Sequence, residues 1–180
     1  MSARRKFCDA EGQVAAWVSI RAIRPALRPA VLLAALLAGC AGFSGAGLKP
    51  GVATEAEVER AMGPSADRRQ VGGETVRFYS RLPAGREMYA ARFGADGKLI
   101  AIEQRLTREN AQLLVPKQST HEDVRNLFGP PWRSHDYPRL SRQVWLYPMH
   151  EGAVRFTLNV EFTADGKLSE IVMFDEVDPD

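Results

Sequence analysis

A chain of 180 residues, 45% of them apolar, is long enough for one compact domain or two very small ones and is ordinary for a globular protein. Of its 24 basic side chains, six (Arg4, Arg5, Lys6, Arg21, Arg24, Arg28) precede Cys40, against two acids, Asp9 and Glu11. From Cys40 onward the chain carries 18 basic and 20 acidic groups, a formal −2, so nothing beyond the leader has the basic footprint that a nucleic-acid partner requires.

The first 39 residues read as a secretion leader. A basic stretch ends at Arg28, an apolar run covers Ala30–Ala38, and small residues lead to Cys40. A run of nine apolar residues is too short to span a bilayer, which takes about 20. The segment Leu37-Ala38-Gly39-Cys40 resembles the lipobox at which bacterial lipoprotein precursors are acylated on cysteine and then cut. That resemblance implies a covalent lipid on Cys40. It also implies outer-membrane sorting, because Ala41 and Gly42 stand where inner-membrane lipoproteins carry Asp. One acyl chain binds a membrane only reversibly, at about 0.8 kcal/mol per buried methylene, whereas the two or three chains of such lipoproteins hold firmly. With Cys8 removed in the leader, Cys40 is the only thiol, so the fold is expected to stand without a disulfide. The Ala/Gly/Ser segment Ala41–Gly47 reads as a flexible tether.

Residues from Leu48 onward fall into two similar stretches. Leu48, Pro50, Thr54, Val58, Gly63 and Pro64 recur as Leu114, Pro116, Thr120, Val124, Gly129 and Pro130. Phe93-x-x-Asp96-Gly97-Lys98-Leu99 recurs as Phe162-x-x-Asp165-Gly166-Lys167-Leu168. A period of about 65 residues fits two small globular repeats, 48–106 and 107–180, better than a solenoid. Thr54 and Thr120, each followed three residues later by an acid, are set to cap short helices that end at Gly63-Pro64 and Gly129-Pro130. Such helices are too short to persist alone and must dock an apolar face, Val58/Ala61/Met62 or Val124/Leu127/Phe128. Residues 154–162 alternate apolar and polar, the signature of a half-buried strand, and further strands are expected around 76–79, 99–106, 144–147 and 168–174. Asp96-Gly97 and Asp165-Gly166 read as tight hairpin turns, and 107–115 as an extra helix. The predicted fold is α+β: two tandem repeats, each one or two short helices on a three-stranded antiparallel meander.

The order of lipobox cysteine, tether, Thr-capped helix ending in Gly-Pro, aromatic-Tyr strand (Phe78-Tyr79, Trp145-Leu146-Tyr147) and Phe-x-x-Asp-Gly-Lys-Leu resembles the BamE/SmpA/OmlA family of outer-membrane lipoproteins, here twice over. The single-domain member of that family is an accessory to the machine that inserts β-barrel proteins into the outer membrane. The doubled arrangement resembles the tandem architecture of β-lactamase-inhibitor-protein-like folds. What this implies is a non-enzymatic protein-binding lipoprotein facing the periplasm, with an envelope protein, the barrel-assembly machinery among them, as partner. A periplasmic inhibitor or small-ligand carrier on the same tandem fold is the alternative.

Other chemistry finds little support. His121, His135 and His150 lack metal-ligand spacing and read as solvated loop or helix-start residues, so neither a metal nor any cofactor beyond the Cys40 lipid is expected. No Gly-x-Ser-x-Gly elbow or phosphate-cradling Gly-rich loop is present, and an enzyme is not expected. The stretch from Pro130 to Arg139 reads as a Pro-rich loop whose Trp132, Arg133, Tyr137 and Arg139 are the residue types that dominate binding hot spots. The competing reading is that Trp132 and Tyr137 merely cover the open edge of the core.

Overall fold

A computed structural model describes residues 43–176; the leader, the Leu37–Gly39 motif and Cys40 lie outside the described residues. In chain order the elements are α1 (Glu55–Met62), β1 (Asp67–Val71), β2 (Glu74–Ser80), β3 (Met88–Phe93), β4 (Leu99–Gln104), α2 (Arg108–Ala111), α3 (His121–Phe128), β5 (Arg133–Tyr137), a 3-10 turn (Pro138–Leu140), β6 (Arg142–Glu151), β7 (Val154–Thr163) and β8 (Leu168–Asp175). The class is α+β, with two four-stranded antiparallel meanders ordered β1-β2-β3-β4 and β5-β6-β7-β8. No helix among the described residues is long and apolar enough to cross a membrane.

Both long helices start as their sequences predict. Thr54 Oγ1 accepts from the Glu57 amide while the Glu57 carboxylate accepts from the Thr54 amide, and Thr120 and Asp123 make the same reciprocal pair. These hydrogen bonds satisfy donors that the first helical turn leaves open. Both helices stop at a glycine of positive φ, Gly63 at +84° and Gly129 at +78°.

Each sheet has four strands where three were expected. The additional strands are β1 and β5, the outer strands of their sheets, and their sequences explain why no pattern announced them. DRRQV of β1 carries four polar residues, and every residue of β5, RSHDY, is exposed. A strand paired on one side only, with little to bury, needs no apolar alternation. The segment read as a Pro-rich loop is thus largely an edge strand. The helix expected over 107–115 is one turn, Arg108–Ala111, capped by the Thr107 side chain on the Asn110 amide. The Asp-Gly hairpins are longer than two residues: Gly97 N–H bonds Gly94 C=O at 3.0 Å and Gly94 N–H bonds Lys98 C=O at 3.0 Å, with Gly97 at φ +72°. A bulge accompanies each turn, since the register slips between Arg92 and Phe93 and between Glu161 and Phe162. From Phe43 on, the segment expected to be a tether is folded back on the first half. The Phe43 ring lies 6.3 Å from that of Tyr89, and the Arg81 guanidinium sits 4.5 Å over it.

Pairing partners place neighbouring residues of one sheet on alternate faces. On one face of β1–β4, Tyr79, Ala91 and Phe93 pack with Val58 and Met62 of α1. On the other, Val76, Phe78, Met88 and Ala90 join a cluster that holds Val124 and Phe128 of α3 together with Tyr147, Leu158, Val160 and Phe162 of the second sheet. The layers therefore run α1, first sheet, α3, second sheet, and α3 serves both sheets. The Phe128 ring lies 5.3 Å from that of Tyr147, whose hydroxyl donates to the Gly129 carbonyl at 3.1 Å. On its other side, Arg125 Nε donates to Asp67 Oδ2 at 3.0 Å, Arg69 donates to Asn126 Oδ1, and Phe78 lies directly against Gly129.

The two halves keep the same frame with different chemistry. Glu55 and Arg77 form an ion pair at 2.8 Å beneath α1. The equivalent positions in the second half hold His121 and Trp145, whose rings lie 5.0 Å apart, with His121 also stacked on Phe162 at 3.9 Å. His121 is consequently half-buried among aromatics rather than solvated.

Gly63 and Gly129 separate backbone strain from packing. A Cβ on Gly63 meets nothing within 4 Å, whereas one on Gly129 would lie 2.7 Å from Phe78 Cδ1. Gly63→Ala should cost the strain of a positive-φ, extended backbone alone, about 1–3 kcal/mol, and Gly129→Ala about 2 kcal/mol more from the clash. Equal losses in chemical denaturation would show that Gly129 does not touch the first sheet.

Candidate binding surface

The residues singled out for partner binding come together along β5 and the turn that follows it. The Trp132 amide donates to the Leu146 carbonyl at 3.0 Å and so starts the β5–β6 ladder, which runs from Arg133↔Leu146 to Tyr137↔Arg142. Arg133 folds back so that its guanidinium stands 4.3 Å over the Trp132 ring, a cation–π contact. Because side chains alternate along a strand, Arg133, His135 and Tyr137 share one face. Tyr137 is 47% exposed and Leu140 is 66% exposed. Asp136, Tyr137, Pro138, Arg139 and Leu140 line a shallow, mostly apolar hollow of about 510 Å³. Ser141, at φ +52°, turns the chain from the 3-10 segment into β6, and Gln143 Nε2 donates to Asp136 Oδ1 at 2.6 Å behind it. Trp132 is half-buried and Tyr137 exposed, and neither belongs to a buried core cluster among the described residues.

This arrangement offers two kinds of contact. Among the described residues β5 pairs with β6 alone, which leaves the other side of its backbone free to accept a further strand. The exposed Tyr, Leu and Pro side chains of the turn supply apolar area beside the cations Arg133 and Arg139, a composition suited to a protein surface.

A second recess, which nothing in the sequence announces, lies where the halves meet. It is a cleft of about 220 Å³ lined by Glu87, Gln104, Leu106, Thr107, Arg108, Glu109, His150, Glu151 and Phe156. Arg108 spans it, with Nε donating to Glu151 at 2.7 Å, the guanidinium 4.3 Å over Phe156, and Nη1 at 3.1 Å from Met173 Sδ. His150 Nε2 stands 3.7 Å from Glu87. An Arg whose donors and apolar stem are already engaged within the second half braces that half's wall of the cleft rather than awaiting a ligand. Among the described residues no three of His, Cys, Asp and Glu are grouped to hold a metal. His135 is exposed on β5, apart from His121 and His150.

Arg86, in the β2–β3 connection, clasps the last described residue. Its guanidinium makes a bidentate contact with Glu176, which also accepts from Thr157 Oγ1 at 2.7 Å. The hydrogen bonds from Arg86, then Thr157, hold the Glu176 carboxyl below its ordinary value, against a smaller opposing effect of burial. Burial pushes the Tyr147 phenol well up, so it remains a neutral donor to Gly129.

No family model matches the chain, and no curated protein does. Among solved structures, the chain matches a DUF4309 family protein (YjgB) from Bacillus subtilis at 22% identity and a TM-score of 0.29, over 73% of this chain and 84% of that one.

The lowered Glu176 carboxyl predicts a pH signature. A carboxyl held low in the folded state adds stability above its unfolded value, near 4.3, and that stability disappears as pH falls through the folded value. Arg86→Met should thus destabilise the protein at pH 7, by under about 1 kcal/mol for a pair whose carboxylate is 39% exposed. The difference from wild type should shrink below about pH 4; a difference unchanged from pH 7 to pH 3 in urea melts would assign Arg86 a packing role alone.

Proposed function

We propose that this protein is an outer-membrane-anchored lipoprotein whose folded part is a non-enzymatic protein-binding module of the bacterial envelope. The observation that carries the anchoring is the nine-residue apolar run Ala30–Ala38 ending on Gly39-Cys40 behind a basic leader. A thiol at that point is where acylation would fix the chain to a membrane and leave the fold on the periplasmic side. We read the two halves as tandem units of the BamE/SmpA/OmlA type, an assignment supported by the recurring Thr-capped helix, Gly-Pro stop and Phe-x-x-Asp-Gly-Lys-Leu turn.

The binding site on this reading is the β5 edge and its turn. Trp132 and Arg133 supply a rigid stacked pair, Tyr137 and Leu140 supply exposed apolar area, and Arg139 supplies a cation at the rim. The partner would be an envelope protein, with the barrel-assembly machinery first among those to test.

Two measurements probe the halves of this reading. Mass spectrometry of the membrane-extracted protein should find an N-terminal, acylated Cys40, and Cys40→Ser should move the protein to the soluble fraction; an unmodified thiol on an uncut leader contradicts anchoring. The lipidated protein should capture its partner from detergent-solubilised envelopes. Trp132→Ala with Arg133→Ala should lower that capture about 30-fold, as loss of a 2 kcal/mol hot spot does, with the melting temperature unchanged. Undiminished capture removes β5 as the binding site.

A further inference from the structure

The inside joint between the halves has an unfilled counterpart on the outside of the second sheet. Row by row, the face of the first sheet that receives α3 reads Asp67–Phe78–Ala90–Glu103 and Arg69–Val76–Arg92–Ala101 across paired strands. The same rows in the second sheet are Arg133–Leu146–Asn159–Val172 and His135–Val144–Glu161–Glu170. In the first sheet Val76, Phe78 and Ala90 are buried under the second half. Their equivalents Val144, Leu146 and Asn159 are only partly buried and belong to neither core cluster. Phe174, on the same face, is 55% exposed. Asn159 Oδ1 is buried with no hydrogen-bond partner, a state that costs free energy until a donor reaches it.

The element that would fit such a face is also on the molecule. Within the chain, α3 docks on the first sheet through Arg125, Asn126 and Gly129. The corresponding residues of α1 are Glu59, Arg60 and Gly63; Glu59 and Arg60 are exposed, and Gly63 faces open space. Charge agrees with the match. The inner joint is tied by Arg125 on the helix and Asp67 on the first strand. In the outer one the signs are exchanged and remain complementary, with Glu59 on the helix and Arg133 on the first strand. The Glu59 side chain, 49% exposed, retains room for a second cation beside Arg77.

We infer that a second copy of this chain stacks head to tail on the first, its α1 seated on the outer face of β5–β8 as α3 is seated on β1–β4. A contact between two different surfaces builds a ring of copies where its rotation closes and an open chain of copies where it does not. The joint is weaker than the inner one, because His135 and Arg60 stand where Arg69 and Asn126 bond and because association costs translational freedom. It therefore forms and dissolves with concentration. Arg133 is shared with the β5 edge proposed above for an envelope partner, but self-association is read from one purified protein and does not depend on that reading.

The test uses the purified mature chain in sedimentation velocity between about 5 and 500 µM, a range that brackets weak association. The wild type should sediment faster as concentration rises. Arg133→Glu and Glu59→Arg each place like charges across the joint, and each alone should weaken association about tenfold or more. An equimolar mixture of the two variants restores Glu opposite Arg at every joint and should regain the wild-type behaviour. Leu146→Asp, in the middle of the face, should abolish association in both settings, with far-UV circular dichroism confirming that each variant is folded. A wild type that stays monomeric throughout, or a mixture that associates no better than its components, overturns the inference.

Discussion

The packing of one short helix on two sheets is the constraint from which the rest of this structure follows. Val124 and Phe128 lie fully buried in a single cluster with residues of both sheets, and Gly129 brings the helix end against Phe78. An eight-residue helix is unstable by itself, so its place is set by what it buries rather than by propensity. Each half alone would leave apolar area open, and a unit of about 65 residues buries too small a share of its surface to be robust. Sharing α3 joins two marginal cores into one.

That arrangement explains which parts of the fold were legible in the sequence. Helix starts at Thr54 and Thr120 and stops at Gly63 and Gly129 were readable because side-chain capping and the positive φ that glycine accepts are local chemistry. Strand β7 was readable because one of its faces is core and the other wet. The strands β1 and β5 were not, since an outer strand of mostly polar residues carries no alternation. The pair Gly72-Gly73, both at positive φ in the two-residue turn between β1 and β2, was the one local signal that a hairpin lay there. The bulges that lengthen the Asp-Gly turns could not be foreseen, because register is settled by the facing strand. The packing of Phe43 was hidden by the small residues around it.

The binding surface was legible in composition but not in form. Trp132, Arg133, Tyr137 and Arg139 stood out as hot-spot residue types, yet nothing local said that two of them, Arg133 and Tyr137, lie on the edge strand of a sheet. Nor could the sequence reveal that Arg108 fills the cleft between the halves, because its partners Glu151, Phe156 and Met173 lie 43 or more residues away. The exchange of the Glu55–Arg77 ion pair for the His121–Trp145 stack shows how two halves on one frame diverge: geometry is kept while the means of filling it changes.

Native-state hydrogen exchange of Phe128→Ala tests the shared helix most directly. Removing that ring should cost about 3–5 kcal/mol, a large part of the 5–15 kcal/mol that holds a typical domain together. If α3 serves both sheets, the amides of β2–β3 and of β6–β7 lose protection by similar amounts, although Phe128 is 35 or more residues from the end of β3. Loss confined to β6–β7, with β2–β3 exchanging as in the wild type, would mean that the halves are two independent folds and would contradict the account.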